Sequence, residues 1–517
     1  MLMTPSLLSG VTDSDSLRYT YVWARQFAAA VARGELYPRW LPESFGGLGS
    51  PTFVFYPPLA FYVDALVREA TFGLLPVERR LGVTAFVLLW LSGLGMRAWL
   101  REQAEPRVAF WAAAAYMAAP YHLMDHYSRG ALAEFSFIAM LPLTLLGLRA
   151  ALRFWTGVPA LAGGIALVTL AHLPSALLRS AVGGLLGLAL VAVYLVPALT
   201  MQGSVSIDQL WLPYYDPIRW LLLLPVAWAG RDLMLIVAWL AAGWGVLALG
   251  VVVLLRRTGP AGWDAVLWGI VSLVCIALMA GAVPQFWTLV PFVAKVQFPW
   301  RMLGLIEFSA LTATALAVGH VPGRWLIIPA GLALALMGPA FMAIGDRAVT
   351  LYQDAPAFWT WFRPKVEQHM PDAAEYLPAD FPADRIVNAV GTGPWILPRA
   401  LETTCEPAAA PCRAERMASG EIRLTLPGAG PIRVTVAQFW FPGWHGAIPG
   451  GAAVAVQPGS ELRVLQLDTL AGVSEIRLRR GWSSAERLGL GISVAAAVVL
   501  VLVWRRSRRP DAGPFGL

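Results

Sequence analysis

The chain has 517 residues, 57% of them hydrophobic and 14% charged, with a net charge of +7. A soluble domain carries about 25% charged residues, so a wholly water-soluble fold of this size is excluded. The positive charge comes almost entirely from arginine at the ends of apolar stretches. No basic aromatic cluster marks a nucleic-acid surface, so nucleic acid is not expected as a partner.

Residues 1–14 hold an apolar stretch too short to span a bilayer. It lacks the basic start and full apolar core of a cleavable signal peptide. Residues 15–34 predict an amphipathic helix: Tyr19, Trp23, Phe27 and Val31 recur every four residues, with Arg18, Arg25 and Arg33 on other faces. A loop rich in Gly and Pro covers 35–58. Residues 59–75 read as helical, but Asp64, Arg68 and Glu69 interrupt the apolar run. With Asp64 and Arg68 as an i,i+4 pair, this helix is expected to lie in the membrane interface rather than to cross. Residues 1–80 thus form an outer-face loop with amphipathic and interfacial helices.

Candidate spans follow at 81–98, 108–122, 133–150, 157–173, 177–199, 233–255, 264–283, 302–318, 325–345 and 487–504. Leu233 to Leu255 and Trp325 to Ile344 contain no charge at all. About 20 helical residues cover the roughly 30 Å hydrocarbon core. Lipid cannot satisfy backbone polar groups, so such stretches are helices. Residues 81–345 form the transmembrane bundle, and membrane lipids are its immediate partners.

Residues 346–485 are the one large water-facing region. Ile422-Arg-Leu-Thr-Leu, Ile432-Arg-Val-Thr-Val and Leu462-Arg-Val-Leu-Gln-Leu alternate between Gly and Pro turns, which predicts a β-sandwich. Cys405 and Cys412 fit a disulfide in an extracytoplasmic setting. Cys275, inside an apolar span, reads as packing. Residues 486–517 hold the last span and the tail Arg505-Arg506-Ser507-Arg508-Arg509. The positive-inside rule puts that tail in the cytoplasm and 346–485 outside it. The expected fold class is mainly α: a polytopic transmembrane helical bundle, a C-terminal extracytoplasmic β-sandwich-like domain and a final transmembrane helix.

Four polar segments interrupt this apolar chain. They are Asp13-Ser-Asp15-Ser-Leu-Arg18-Tyr19; Tyr37-Pro-Arg39-Trp40 with Phe45-Gly-Gly-Leu-Gly-Ser-Pro-Thr-Phe-Val-Phe-Tyr56-Pro-Pro-Leu59; Tyr121-His122-Leu-Met-Asp125-His126-Tyr127-Ser-Arg129-Gly-Ala-Leu-Ala-Glu134-Phe135; and Gln297-Phe-Pro-Trp300-Arg301. His172, in Ala-His-Leu-Pro, is a fifth candidate. In order and spacing these segments resemble bacterial membrane proteins named for a "6-pyruvoyl-tetrahydropterin synthase-related" membrane domain, although nothing here suggests pterin chemistry. Those proteins are similar to the GT-C glycosyltransferase superfamily. The resemblance runs from about residue 13 to 345, and Phe441-Pro-Gly-Trp-His-Gly-Ala-Ile-Pro-Gly-Gly451 is similar to the β-domain that follows the spans in related proteins.

The resemblance implies transfer of a sugar from a polyprenyl-phosphate-linked donor at the extracytoplasmic face of the bacterial inner membrane. It picks Asp15 over Asp13 as the catalytic carboxylate, because Asp15, Arg18 and Tyr19 match the Asp-x-x-Arg-Tyr pattern of the aminoarabinose transferases. The chemistry asks for a base near the acceptor hydroxyl and for cations on the phosphate that leaves. Arginine suits that role through its fork of donors. Arg39, Arg129 and Arg301 are the candidates, with Tyr19, His122, Glu134 and His172 lining the site.

Each choice has a plainer reading. Asp15 fits a helix N-cap. Arg301 marks a membrane boundary, and Glu134 pairs structurally with Arg129. An ionisable group near the top of an apolar span is costly, which favours function at Glu134. No cofactor is called for. A divalent cation at His122-x-x-Asp125-His126 is the only metal candidate, and that spacing matches no strong ligand set. The second functional reading is a non-catalytic membrane protein that binds or moves lipid-linked glycans in envelope polysaccharide assembly.

Overall fold

The computed structural model describes residues 2–11, 14–153, 158–171, 181–224, 231–255, 262–289, 293, 296–386, 397–407, 412–428 and 431–507. The chain is mainly helical. First come α1 (Thr4–Ser9), α2 (Leu17–Ala32), α3 (Thr52–Phe55) and α4 (Leu59–Ala70). Next are α5 (Val77–Leu100), α6 (Pro106–Met117), α7 (Pro120–Met124), α8 (Leu132–Arg153), α9 (Val158–Ala171), α10 (Ala181–Leu190) and α11 (Ala192–Thr200). The bundle continues with α12 (Arg231–Leu255), α13 (Trp263–Ala280), α14 (Phe286–Leu289), α15 (Leu303–Ala317) and α16 (Gly323–His369). A β unit follows, and α17 (Ser484–Ser507) closes the order.

Among the described residues, six helices are long and apolar enough to cross a membrane: α5, α8, α12, α13, α16 and α17. The spans expected at 108–122 and 302–318 are not of this kind, and those expected at 157–173 and 177–199 lie partly outside the described residues. α6 ends after 12 residues, because Pro120 forces Ala119 out of the helical region to ψ 134°. Residues 181–200 break at Val191 into helices of 10 and 9 residues. α15 has 15 residues, too few to cover a hydrocarbon core; α9 is flanked on both sides by residues outside the described ones. Residues 172–180, with the candidate His172, lie outside the described residues, as does Asp13.

The segment before α5 is packed more deeply than its sequence pattern predicts. α2 is not a surface helix: Tyr21, Val22, Trp23, Ala24, Phe27 and Ala28 are all buried. α4 has 12 residues, about 18 Å of helix, and so does not cross. Its Asp64 does not pair with Arg68. Asp64 faces α5, where Arg80 Nε lies 2.8 Å from Oδ1 and Nη2 also donates to the Ala24 carbonyl. Arg68 sits at the exposed tip and turns to Glu69 instead.

α16 runs 47 residues, about 70 Å, well past the boundary expected at 346. Ile344, Ala348, Leu351, Ala355, Trp359 and Val366 recur on one buried face, so the core-facing stripe continues beyond the apolar stretch. The helix stops at Met370, whose φ of 42° is left-handed.

The β unit begins at Thr403. β1 (Thr403–Glu406), β4 (Ile432–Phe439), β8 (Val464–Thr469) and β7 (Gln457–Pro458) form one antiparallel sheet in the order β1-β4-β8-β7. β2 (Arg413–Arg416), β3 (Ile422–Thr425), β9 (Glu475–Arg480), β5 (Trp444–Ala447) and β6 (Ala453–Val454) form the other, in the order β2-β3-β9-β5-β6. The inward residues of both sheets, such as Leu424, Val434, Leu467 and Ile476, share one apolar cluster. The sheets therefore pack face to face, as the alternation predicts. A Cys405–Cys412 disulfide ties β1 to the start of β2, one sheet to the other. The Gly-rich loop seats this unit on the bundle: Phe45 N–H donates to Met370 O, and Phe439 N–H to Leu48 O.

Basic helix ends gather at one end of the bundle. Arg149 Nη1 donates to Trp99 O, and Nη2 lies 3.4 Å from Glu102. Trp99 in turn packs on Trp268 and bonds Thr312. Trp268 belongs with Leu255, Ala317 and Leu326, beside the start of α16. Leu500, near the Arg505 end of α17, packs with Ala162 and Ala151. The polar segments collect at the opposite end, where the β unit also sits.

Candidate functional site

The site is built on a single turn of π-helix, Asp125–Arg129, between α7 and α8. Gly130 ends it at φ 60°, and a Cβ there would run into the Ser14 hydroxyl. That tight approach docks the start of α2 on the turn. Asp15 N–H donates to Ser128 O at 3.4 Å and Ser16 N–H to Arg129 O at 3.0 Å. The first and third polar segments of the sequence thus meet through backbone hydrogen bonds. Asp15 is not the helix cap: Ser16 holds that position, and no side chain caps the helix.

Beneath this junction lies a buried charge cluster. Arg129 Nη1 donates to Asp125 Oδ1 at 2.5 Å, to Glu134 Oε2 at 2.7 Å and to the Tyr121 hydroxyl at 3.2 Å. The Tyr121 hydroxyl donates to Glu134 Oε1. Arg301 Nε faces Glu134 Oε2 at 3.1 Å, and Nη1 donates to Val296 O at 2.9 Å. Two arginines and two carboxylates sit here together, so each buried group has a partner of opposite charge type. Burial first, and then Glu134, push Asp125 well above the usual carboxylate range, against the pull of Arg129 and Arg301.

The rim of this basin is aromatic and charged. Arg18 stands over the Tyr19 ring at 4.8 Å. Burial pushes the Tyr19 phenol up to about 12, with Arg18 drawing it down and Glu375 adding to the rise. Tyr215 is raised by burial, then by Glu375 and Tyr214, and lowered by Arg18 and Arg301. Tyr214 is raised by burial and then by Asp15, and lowered by Arg129. Tyr19 stacks on Trp23, which packs against Tyr56 and Tyr376, while Tyr214 and Tyr215 pack on the Phe298 ring that Arg301 covers at 5.2 Å. Asp15 is exposed at the basin edge.

The other residues chosen from the sequence lie elsewhere. Arg39 is buried in a separate knot: Nη2 donates to Val193 O at 3.1 Å and Nε lies 3.5 Å from Glu486. Its guanidinium is held between Tyr37 and Trp482, at 4.1 and 4.2 Å from the ring centroids. Arg480 completes the knot on Glu486 at 2.8 Å. These contacts join the early loop to the first turn of α17 rather than line the basin. His122 lies below the basin, where Nδ1 is 3.5 Å from Glu307 Oε2 and the Tyr121 N–H donates to Glu307 Oε1 at 2.7 Å. His126, pulled down to about 4 by burial, has Nε2 2.7 Å from the Ser6 hydroxyl in α1. Among the described residues no group of three or more His, Cys, Asp or Glu is placed to hold a metal ion.

Three basin residues were not singled out from the sequence: Tyr214, Tyr215 and Glu375. The tyrosines sit in a loop of short 3-10 turns without periodicity. Glu375 follows the Pro371-Asp372 corner after α16 and has no hydropathy signal of its own. Its one clue is that it falls just beyond the break of a long helix. Set against protein-family models, curated proteins and solved structures, the chain matches none of them.

Proposed function

We propose that this chain is a membrane glycosyltransferase that transfers a sugar from a polyprenyl-phosphate-linked donor. The reading places it in the bacterial inner membrane, with the basic tail cytoplasmic and the β unit outside. The arginine-rich helix ends support that orientation. The basin, at the opposite end, is then extracytoplasmic.

The observation that carries the reading is the docking of Asp15-Ser-Leu-Arg18-Tyr19 against the Asp125–Arg129 turn. It brings a carboxylate, Asp15, and a cation, Arg18, to the turn whose Arg129 shares Glu134 with Arg301. A departing phosphate needs cations that do not reorganise as charge develops. Arg301 meets that need, since Glu134 and the Val296 carbonyl fix its fork. Arg18 approaches from α2. Arg129 acts one step back: its Nη1 is engaged by Asp125, Glu134 and Tyr121, so it positions Glu134, which positions Arg301. Asp15, at the edge, is placed to meet the acceptor hydroxyl. Arg39 serves the attachment of α17 and not the donor.

The test is transfer by the full chain in proteoliposomes supplied with radiolabelled undecaprenyl-phosphate-linked hexoses and an envelope extract as acceptor. Asp15→Asn is expected to lower transfer about a hundredfold or more while remaining monodisperse. Transfer by Asp15→Asn at the unsubstituted rate would overturn the assignment. It would favour a protein that binds or moves lipid-linked glycans without acting on them.

A further inference from the structure

The two sheets of the β unit turn very different faces to water. On the first, Glu406, Arg433 and Asp468 stand side by side across β1, β4 and β8. The arginine lies between two acids, and its Nε is 2.9 Å from Asp468 Oδ1. Thr404, Thr435, Gln466 and Gln457 make the next row. Opposite charges on neighbouring strands are the arrangement that stabilises a sheet. The second sheet breaks that rule. Arg423 on β3 stands directly opposite Arg477 on β9, and like charges so placed are destabilising. Arg479, two residues along β9 and so on the same face, stands opposite His445 on β5. Arg413 takes the edge position on β2, opposite Thr425.

We infer that this face of the second sheet is a docking surface for an acidic polysaccharide. Four arginines and a histidine stand there with two acids, Glu415 and Glu475. Glu415 accepts from Arg423 Nη2 at 2.9 Å and Glu475 from Arg477 Nε at 3.1 Å. Each of these arginines gives one nitrogen to its acid and keeps the rest of its fork for water, and their side chains stay 38% and 60% exposed. Arg413 and Arg479 are exposed, with no ion pair among the described residues. The core beneath is apolar, Ile422, Leu424, Ile476 and Leu478, so packing does not call for these charges. Neighbouring basic groups are about 5 Å apart across the strands and about 7 Å apart along β9, on the scale of one sugar unit. Carboxylates that recur along a glycan meet several forks in turn, and arginine's planar fork matches a carboxylate.

The basic strip also has a direction. β9 ends at Arg480 and α17 begins at Ser484, so Arg479 and His445 mark the level nearest the membrane. Arg423 and Arg477 stand one level farther out, about 7 Å, and Arg413 a level beyond them. A flat bilayer meets only the lowest of these levels. A linear chain lying along the strands meets all three. The inference rests on the placement of the β unit outside the cytoplasm and is independent of sugar transfer. Under the glycosyltransferase reading, the polymer held here is the acceptor.

The experiment measures binding of polygalacturonate to the full chain in phosphatidylcholine nanodiscs, at low and at raised NaCl, with dextran as the uncharged control. The unsubstituted chain is expected to bind polygalacturonate, to release it as salt screens the charges, and to ignore dextran. Arg477→Gln and Arg433→Gln remove the same charge, each from beside an acid, on opposite faces of the β unit. Arg477→Gln is expected to weaken binding about tenfold, and Arg433→Gln by no more than about twofold. Arg479→Gln, which leaves no acid unpaired, is expected to weaken binding as Arg477→Gln does. No binding by the unsubstituted chain, equal binding of dextran, or equal effects of Arg477→Gln and Arg433→Gln overturn the proposal. Where Arg477→Gln does not fold, unchanged binding by Arg479→Gln overturns it. Nanodiscs containing phosphatidylglycerol are expected to leave binding in place. Loss of binding there means that the face lies on the bilayer, and overturns the proposal. Polygalacturonate bound by a chain that transfers no hexose supports this surface and removes only the glycosyltransferase reading.

Discussion

Arg39 and Arg301 look alike in sequence and occupy opposite kinds of place. Both stand beside tryptophan in a short polar segment, and both are partly enclosed by rings. Arg39 is 2% exposed, and its contacts are with a backbone carbonyl, a buried glutamate and two rings. Arg301 is half-buried and lies over the Phe298 ring, on which Tyr215 also packs. An arginine in a motif is evidence of a strong local need for a cation. Whether that need is cohesion or ligand binding depends on where its free edge points.

Three substitutions separate these roles. The largest effect is expected at Arg129, which neither arginine can replace. Arg129→Ala leaves Asp125 without its cation and Glu134 with half of its own, inside the protein. Removing one partner of a buried pair costs about 3–5 kcal/mol, so SDS-unfolding titrations in mixed micelles should show a loss of that size. A variant as stable as the parent would mean that the cluster is not ionised. Next comes Arg39→Ala, which removes one of two cations on Glu486 and the Val193 hydrogen bond. It is expected to cost about 2 kcal/mol, the order of a lost charged hydrogen bond, and to leave undecaprenyl phosphate binding unchanged. Smallest in free energy is Arg301→Ala. It should weaken undecaprenyl phosphate binding about tenfold, which is roughly 1.4 kcal/mol, with less than about 1 kcal/mol lost in stability. If Arg39→Ala weakens binding and Arg301→Ala does not, the two places have been read the wrong way round.

What the sequence made legible follows from which forces are local. Charge-free windows, two-residue alternation in Ile422–Thr425 and Ile432–Phe439, and the paired cysteines are local patterns, and the structure contains the matching elements. The non-crossing α4 was legible as well, because charges inside an apolar run are visible without knowing their partners. Their partners were not visible. Asp64 chose Arg80 across a turn over Arg68 one helical turn away, since its face of α4 is the buried one. The expected span at 108–122 failed for another reason, and the described part of 177–199 is broken for the same one. Hydropathy sums composition over a window and is blind to the helix breaks at Ala118–Ala119 and Val191. The basin itself depends on a π turn and on the corner after Met370, and neither has a periodic signature. Asp15, Tyr19, Arg129, Glu134 and Arg301 could be chosen as residue types in motifs. Glu375 becomes visible only once the chain is folded.

The unbroken course of α16 has a consequence for how this chain tolerates length changes. In a continuous helix, one inserted or deleted residue turns everything beyond it by about 100° and shifts it by about 1.5 Å. A loop would absorb such a change, but between Ile344 and His369 there is no loop. A single-residue insertion there would swing Trp359 and Val366 away from α2 and carry the Met370–Tyr376 corner with them. Adding four residues would nearly restore the facing while raising the corner by about 6 Å. α16 thus works as a ruler, setting in whole turns how far Glu375 stands from the helix ends where the arginines gather.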